Sequence, residues 1–304
     1  FWGIKQYETV KSHMQKKSKF LITGHPRFEL LKPEYHYIYQ QEVDAIKQKY
    51  NNFILINTNM SFGNNIKGDD FVRSNYIDRF EKVDQIINFD KKKLNSYKSL
   101  ILNLAQKEKK IIVRPHPEED KSFYKEAFKE YNNIYVIYEG SVIPWLLSAD
   151  IMIHPDCTTA LEYLFIGKRP ISYLPKNYPE DLATKLPIHS SKCFTSEDKL
   201  IKYINNNSKL NDQLEKSKYP LLEEYFSYSK PTTELIVNQI DNLFDSYNNS
   251  GQNNLSIVEK AYLKLKSLKF LLLTNTPCTK LMKNKLKGLS FGVVKNIHAS
   301  LYES

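Results

Sequence analysis

Cysteine is scarce in this 304-residue chain: Cys157, Cys193 and Cys278 stand far apart and none belongs to a CxxC pair. That excludes a disulfide framework and a cysteine zinc site, and it makes the reducing cytoplasm the expected setting. No run of eighteen or more apolar residues occurs, so no membrane span is expected, and the opening Phe1-Trp-Gly-Ile-Lys-Gln6 lacks a signal peptide's apolar segment. The nine glycines form neither GxGxxG nor GxxxxGK(S/T), which removes support for dinucleotide and P-loop readings; GxSxG and HExxH are missing too. No RNA-binding motif accompanies the lysine-rich segments, so no nucleic-acid partner is expected and these segments read as solvated faces. An initiator methionine is also missing, and the expectation is a longer protein with a further domain upstream.

Positive charge, by contrast, is in excess. Lys and Arg number 44 against 34 Asp and Glu, a formal net charge of +10. Such a balance suits an anionic ligand or surface, although the lysines are spread along the chain and most of the bias reads as background composition.

Short apolar runs recur between helical patterns: Phe20-Leu-Ile-Thr, Phe53-Ile-Leu-Ile, Ile111-Ile-Val, Ile134-Tyr-Val-Ile, Ile151-Met-Ile and Pro170-Ile-Ser-Tyr. Amphipathic segments near 38–50, 91–108, 120–131, 141–148, 157–167 and 196–206 separate them. This alternation predicts an α/β fold, a doubly wound parallel sheet with helices on both faces. The division expected is a nucleotide-donor-binding domain over 1–207, a helical closing segment over 208–250 and a basic amphipathic helical tail over 251–304. The tail carries Ile257, Val258, Ala261, Leu265 and Leu268 on one helical face and is a candidate for resting on an anionic inner-membrane surface or for packing on another domain.

Two stretches carry the chemistry. Ile111-Ile-Val-Arg-Pro-His-Pro-Glu-Glu-Asp120 and Asp150-Ile-Met-Ile-His-Pro-Asp-Cys-Thr-Thr-Ala-Leu-Glu162 each read as a strand running into a polar turn, and the second turn opens a helix. Strand carboxyl ends are where α/β folds gather ligand groups. Arg114 and His116 are candidate phosphate donors, His116 stiffened by flanking prolines. Thr158 and Thr159 would either cap the helix or accept a phosphate, and Glu162, one turn in, is either a first-turn acid or a ribose ligand. His154 is expected as hydrogen-bonded scaffold, and no metal site is expected. Arg27 and Asn59, on turns after other strand candidates, are further donor-binding candidates. Ser141 is a cap or a donor contact, and Glu139 is the local candidate for an acid or base.

The segments Phe1-Trp-Gly3, Thr23-Gly-His-Pro-Arg-Phe28, Leu55-Ile-Asn-Thr-Asn59, Arg114-Pro-His-Pro117, Cys157-Thr-Thr-Ala-Leu-Glu162 and Gly167-Lys-Arg-Pro170 occur in this order. As a set the chain resembles the bacterial surface carbohydrate biosynthesis proteins and, more distantly, the CDP-glycerol glycerophosphotransferases and CMP-sugar transferases of the GT-B type. The likeness runs from Phe1 to about residue 207. It implies the Rossmann-like C-terminal half of a GT-B fold with a helical extension, with the acceptor-binding half upstream. It also implies that His116-Pro117 and Thr158-Thr159 hold the donor phosphate. Gly-His-Pro-Arg at 24–27 and Cys-Thr-Thr at 157–159 depart from the family's usual Gly-Asn-Pro-Arg and Ser-Ser, the latter leaving the donor open.

The resemblance implies a transferase of surface polysaccharide assembly that uses a CMP- or CDP-activated donor, with no tightly bound cofactor or metal. Its partners would be the nucleotide-sugar donor, a saccharide or lipid-linked acceptor and the missing acceptor domain. It would reside in the cytoplasm or peripherally on the inner membrane. A UDP-sugar epimerase of GT-B fold is a second enzyme reading, and a basic nucleic-acid- or membrane-binding protein is the non-enzymatic one.

Overall fold

The computed structural model describes residues 1–14, 20–78, 80–175, 182–206 and 220–249. In chain order its elements are α1 (Ile4–Val10), the single turn α2 (Pro26–Glu29), α3 (Gln40–Tyr50), β1 (Ile54–Asn57), α4 (Asp69–Tyr76), α5 (Val83–Gln106) and β2 (Ile111–Arg114). There follow α6 (Lys121–Ala127), β3 (Ile134–Val136), α7 (Ile143–Ser148), β4 (Ile151–His154), α8 (Thr159–Phe165) and β5 (Ile171–Tyr173). The last are α9 (Lys185–His189), β6 (Lys192–Phe194), α10 (Glu197–Asn206), α11 (Pro220–Phe226) and α12 (Thr232–Asn249). Among the described residues no helix is long and apolar enough to cross a membrane. The basic tail expected over 251–304 lies outside the described residues.

The six strands form one sheet in the order β3-β2-β1-β4-β5-β6, and every pairing is parallel. The doubly wound α/β architecture expected from the alternation is therefore the observed one. β1, β2 and β4 are buried at every position, as strands covered on both faces must be. Alternation assigns their side chains to opposite faces. Ile54, Ile56, Ile111, Val113, Ile151 and Ile153 share a core cluster with Leu94, Tyr97, Leu100, Ile101 and Leu104 of α5, whose spacing makes an apolar stripe, and with Leu200 and Ile204 of α10. Leu104 is fully buried there, and truncating such a leucine to alanine costs about 2–5 kcal/mol. The intervening Leu55, Ile112 and Met152 are fully buried on the other face, where α8 packs against β4 and α7 against α8 and α3.

The chain divides into two compact units. One holds the described residues of Leu31–Tyr219, and with them the whole sheet. The other joins Phe1–Leu30 to the described residues from Pro220 on. In this second unit the run Phe20-Leu-Ile-Thr, expected as a strand, is irregular chain outside any sheet. Its backbone bonds to residues distant in sequence instead: the Phe1 amino group donates to the Leu21 carbonyl at 2.7 Å, Thr23 N–H to the Phe1 carbonyl at 3.0 Å and Lys230 Nζ to the Ile22 carbonyl at 2.8 Å. The sixth strand is β6, which the sequence conceals because Lys-Cys-Phe is short and half-exposed at the sheet edge.

Two glycines of the resemblance motifs have a packing reason in this unit. A Cβ on Gly3 would collide with the backbone of Glu224 and Tyr225. Gly24, at φ +91°, would drive one into the Thr232 hydroxyl.

Candidate functional site

β1 pairs with β2 on one side and with β4 on the other, so the strand order reverses between β1 and β4. Connections leave this point in opposite directions and open a crevice at the strand carboxyl ends, the general ligand position of open α/β sheets. The residues there are Asn57 at the end of β1, Thr58 and Asn59 after it, and Asp156 to Thr159 after β4. They are joined across the crevice. Asn57 Nδ2 donates to Thr159 Oγ1 at 3.0 Å, Thr159 Oγ1 donates to Cys157 Sγ at 3.1 Å and Asn59 Nδ2 donates to Asp156 Oδ1 at 3.3 Å. Asn57 is 4% exposed, and its Oδ1 is buried and accepts no hydrogen bond from any described residue. Leaving a buried amide oxygen unsatisfied costs about 1–3 kcal/mol, a cost that a bound molecule's hydroxyl or amine would relieve.

The third wall is the turn after β2. His116 is half-buried, and Glu118 N–H donates to its Nδ1 at 3.3 Å, so in the neutral ring the hydrogen resides on Nε2. Glu119, fully buried, lies at the centre of this turn. Its Oε1 accepts from Thr58 Oγ1 at 2.8 Å, Met60 N–H at 2.9 Å and His116 N–H at 3.3 Å, and its Oε2 accepts from the Tyr124 hydroxyl. Burial raises the Glu119 carboxyl above its ordinary range, against the pull of these donors.

Beneath the β4 turn lies a buried charge cluster. Lys93 of α5 pairs with Asp90 Oδ1 at 2.9 Å and Asp156 Oδ1 at 3.5 Å, and none of the three is more than 4% exposed. Phe62 N–H donates to Asp90 Oδ2 at 3.0 Å and Thr184 N–H to Asp156 Oδ2 at 3.1 Å. Burial raises the Asp90 carboxyl, with Lys93 opposing.

The other candidates are placed as follows. Arg114 is 9% exposed, and its guanidinium is committed to the carbonyls of Glu139 at 3.1 Å and Gly140 at 3.2 Å and lies 5.4 Å from the centre of the Trp145 ring. Burial pulls it down to about 10. Its geometry makes it the brace of the turn after β3. On that turn Glu139 and Ser141 are exposed, and Ser141 Oγ accepts from Ile143 N–H at 3.3 Å, near the start of α7. Thr158 is exposed and its side chain makes no capping bond to α8, while Glu162 is buried at 4% exposure. His116, Asn59 and Thr159 are thus tied into the hydrogen-bonded walls at the ends of β1, β2 and β4, where Thr158 also lies. Arg27 belongs to the unit without the sheet, where its N–H donates to His25 Nδ1 at 3.1 Å.

His154 is scaffold, as its strand-end position suggested. It is fully buried, with Nδ1 accepting from Cys157 N–H at 3.2 Å and Nε2 bonded to Ser191 Oγ at 2.8 Å, and burial lowers it to about 3. Among the described residues no three His, Cys, Asp or Glu side chains are grouped to hold a metal ion.

Sequence reasoning missed Glu119 and the Lys93 cluster. Glu119 is the middle of three successive acids, and nothing local marks it as the buried one. For Lys93 a signal exists: residues 93, 97, 100 and 104 share helical spacing with the buried stripe of α5, so a lysine there needs a buried partner.

No protein-family model matches the sequence, and no curated protein does. Among solved structures the chain is similar to the wall teichoic acid polymerase TagF, at 15% identity and a TM-score of 0.45, over 83% of this chain and 58% of that one. Two variants of TagF match comparably. One, soaked with CDPG, has 13% identity and a TM-score of 0.43 over 83% of this chain and 57% of that one. The other has 14% identity and a TM-score of 0.43 over 80% of this chain and 58% of that one. The chain therefore spans less than two thirds of the length of these structures.

Proposed function

We propose that the sheet unit is the donor-binding half of a transferase of surface polysaccharide assembly, taking a glycosyl or glycerol-phosphate group from a CMP- or CDP-activated donor. The observation that carries this reading is the convergence at the switch point. Asn57 and Thr159 meet across it, a buried amide oxygen there accepts no bond from a described residue, and the His116 turn is tied to the end of β1. The resemblance of the Arg-Pro-His-Pro and Cys-Thr-Thr segments supports the same place and the same ligand class.

In this reading the leaving nucleotide phosphate gains negative charge as the transferred group departs, and neutralising that charge is the site's task. The Nε2–H of His116 donates to a phosphate oxygen, and the hydroxyl of Thr158 and the carboxamide of Asn59 flank it. Asn57 Oδ1 accepts from a hydroxyl or amine of the donor. Arg114 acts through the turn that it braces, where Glu139 is the exposed carboxylate for proton transfer. The acceptor, a saccharide or a lipid-linked saccharide, is engaged outside these residues.

Calorimetry with CMP, CDP and UDP on the wild type and on His116→Ala tests the proposal. The expected result is a preference for cytidine nucleotides that the substitution weakens by about 1–3 kcal/mol, the scale of a lost charge-assisted hydrogen bond. A preference for UDP would turn the reading toward UDP-sugar chemistry. Failure of a folded sample to bind any nucleotide would remove it.

A further inference from the structure

We infer that Glu119 is the positioning residue that holds the His116 turn against the end of β1 and so fixes which ring nitrogen His116 presents to a ligand. The four donors to its carboxylate come from three elements: Thr58 and Met60 after β1, His116 after β2, and Tyr124 of α6. None is a cation, and among the described residues Glu119 has no ion-pair partner. A fully buried carboxylate without a counter-ion is a costly way to fill space, since an apolar side chain of similar volume serves stability as well or better. What the carboxylate provides that an apolar group cannot is a fixed point toward which donors from separate turns are aimed.

The surrounding bonds show how tightly the two turns are coupled. Ile66 N–H donates to the Glu118 carbonyl at 2.9 Å, and Asp120 N–H donates to the Asn64 carbonyl at 2.8 Å. These rungs close the outer rim, and Glu119 closes the inner one. His116 N–H is shared between Thr58 Oγ1 and Glu119 Oε1, each at 3.3 Å. With its backbone held there, the imidazole meets Glu118 N–H through Nδ1, and the hydrogen of the neutral ring is assigned to Nε2. The carboxylate acts on His116 through the backbone of the turn, and its side chain needs no contact with the ring.

The ligand role of His116 belongs to the proposed function, but the positioning claim has its own readout. Nitrogen NMR of the imidazole rings reports the tautomer of each histidine without any ligand, and His154, held as an Nε2–H tautomer by Cys157 N–H and Ser191, is the internal control. In Glu119→Ala the His116 signals are expected to move to a mixture of tautomers while those of His154 stay. Glu119→Gln, whose amide oxygen can take the three donors of Oε1, is expected to keep the wild-type pattern. Cytidine nucleotide affinity should fall about tenfold in Glu119→Ala, the order of one lost hydrogen bond, and be retained in Glu119→Gln. An unchanged His116 spectrum in folded Glu119→Ala overturns the inference, as does an equal change at His154, which would make Glu119 a general support of the fold. If Glu119→Ala does not fold, Thr58→Val decides by the same criterion, because it removes the one hydroxyl that bonds both Glu119 and His116. A wild type that binds no nucleotide sinks the proposed function and leaves the tautomer result to judge Glu119.

Discussion

Asn57 Nδ2 donates to Thr159 Oγ1 across 3.0 Å, joining residues 102 positions apart at the reversal of strand order. The other half of the same carboxamide, Oδ1, is buried without a hydrogen bond from any described residue. One side chain therefore fastens the two walls and holds an acceptor in reserve.

Asn57→Ala separates these roles. The native amide already carries the cost of an unsatisfied oxygen, and Thr159 keeps its bond to Cys157. The net loss of stability should therefore be small, about 1 kcal/mol in a denaturant titration. Nucleotide affinity should fall by about tenfold, the equivalent of one hydrogen bond. A large loss of stability with affinity unchanged would make Asn57 a fastener alone.

Much of the fold was legible because parallel strands buried on both faces must be short apolar runs, as the central β1, β2 and β4 are, and β3 and β5 also open on Ile. Phe20-Leu-Ile-Thr has the same composition, yet its backbone bonds go to Phe1 and Lys230, which a local pattern cannot reveal. Of the candidate site, the strand-end turns were legible as polar segments after apolar runs, but Asn and Thr there serve equally as turn and cap residues, so the pattern alone does not separate a ligand contact from a turn. Glu119 was hidden because Glu118 and Asp120 beside it have similar chemistry, and only the tertiary placement of Thr58, Met60 and Tyr124 selects the middle acid.

Lys93 is 2% exposed between Asp90 and Asp156. Lys93→Met fills a similar volume but strands two buried carboxylates, and a cost of about 3–5 kcal/mol is expected. Adding Asp90→Asn and Asp156→Asn should recover most of it, because the penalty lies in the unpaired charges and not in the missing ammonium. Equal stability of the single and triple variants in urea would refute this account.

His154 carries a pH signature. Its folded-state value is lowered by burial from 6.5 to about 3. Between these values the unfolded chain binds a proton that the folded one refuses, so stability falls as pH drops, by about 1.4 kcal/mol per unit. Asp90 and Glu119, raised by burial, act in the opposite sense: their contribution is present below their ordinary carboxylate values and lost as pH rises through the folded ones. The difference between wild type and His154→Asn isolates the histidine. The variant should be less stable at neutral pH, having lost the fit to Cys157 and Ser191, and the gap should narrow steadily from pH 6.5 toward 3. Parallel profiles would contradict the assignment.

Arg114 distinguishes a phosphate ligand from a brace. A ligand acts through its charge, which Arg114→Lys keeps. A brace acts through the planar fork that reaches the Glu139 and Gly140 carbonyls together and through its place over Trp145, neither of which an ammonium reproduces. The lysine would moreover be buried, where its charge is harder to hold than that of a guanidinium. The expected outcome is a stability loss of about 1–3 kcal/mol, the scale of lost bonds to a buried charged donor, with increased amide exchange at residues 139–141. Nucleotide affinity should fall less than in His116→Ala. Should Arg114→Lys instead leave stability and exchange untouched while matching His116→Ala in lost affinity, the guanidinium must turn from its carbonyls to the donor on binding, and the turn after β3 would have to move with it.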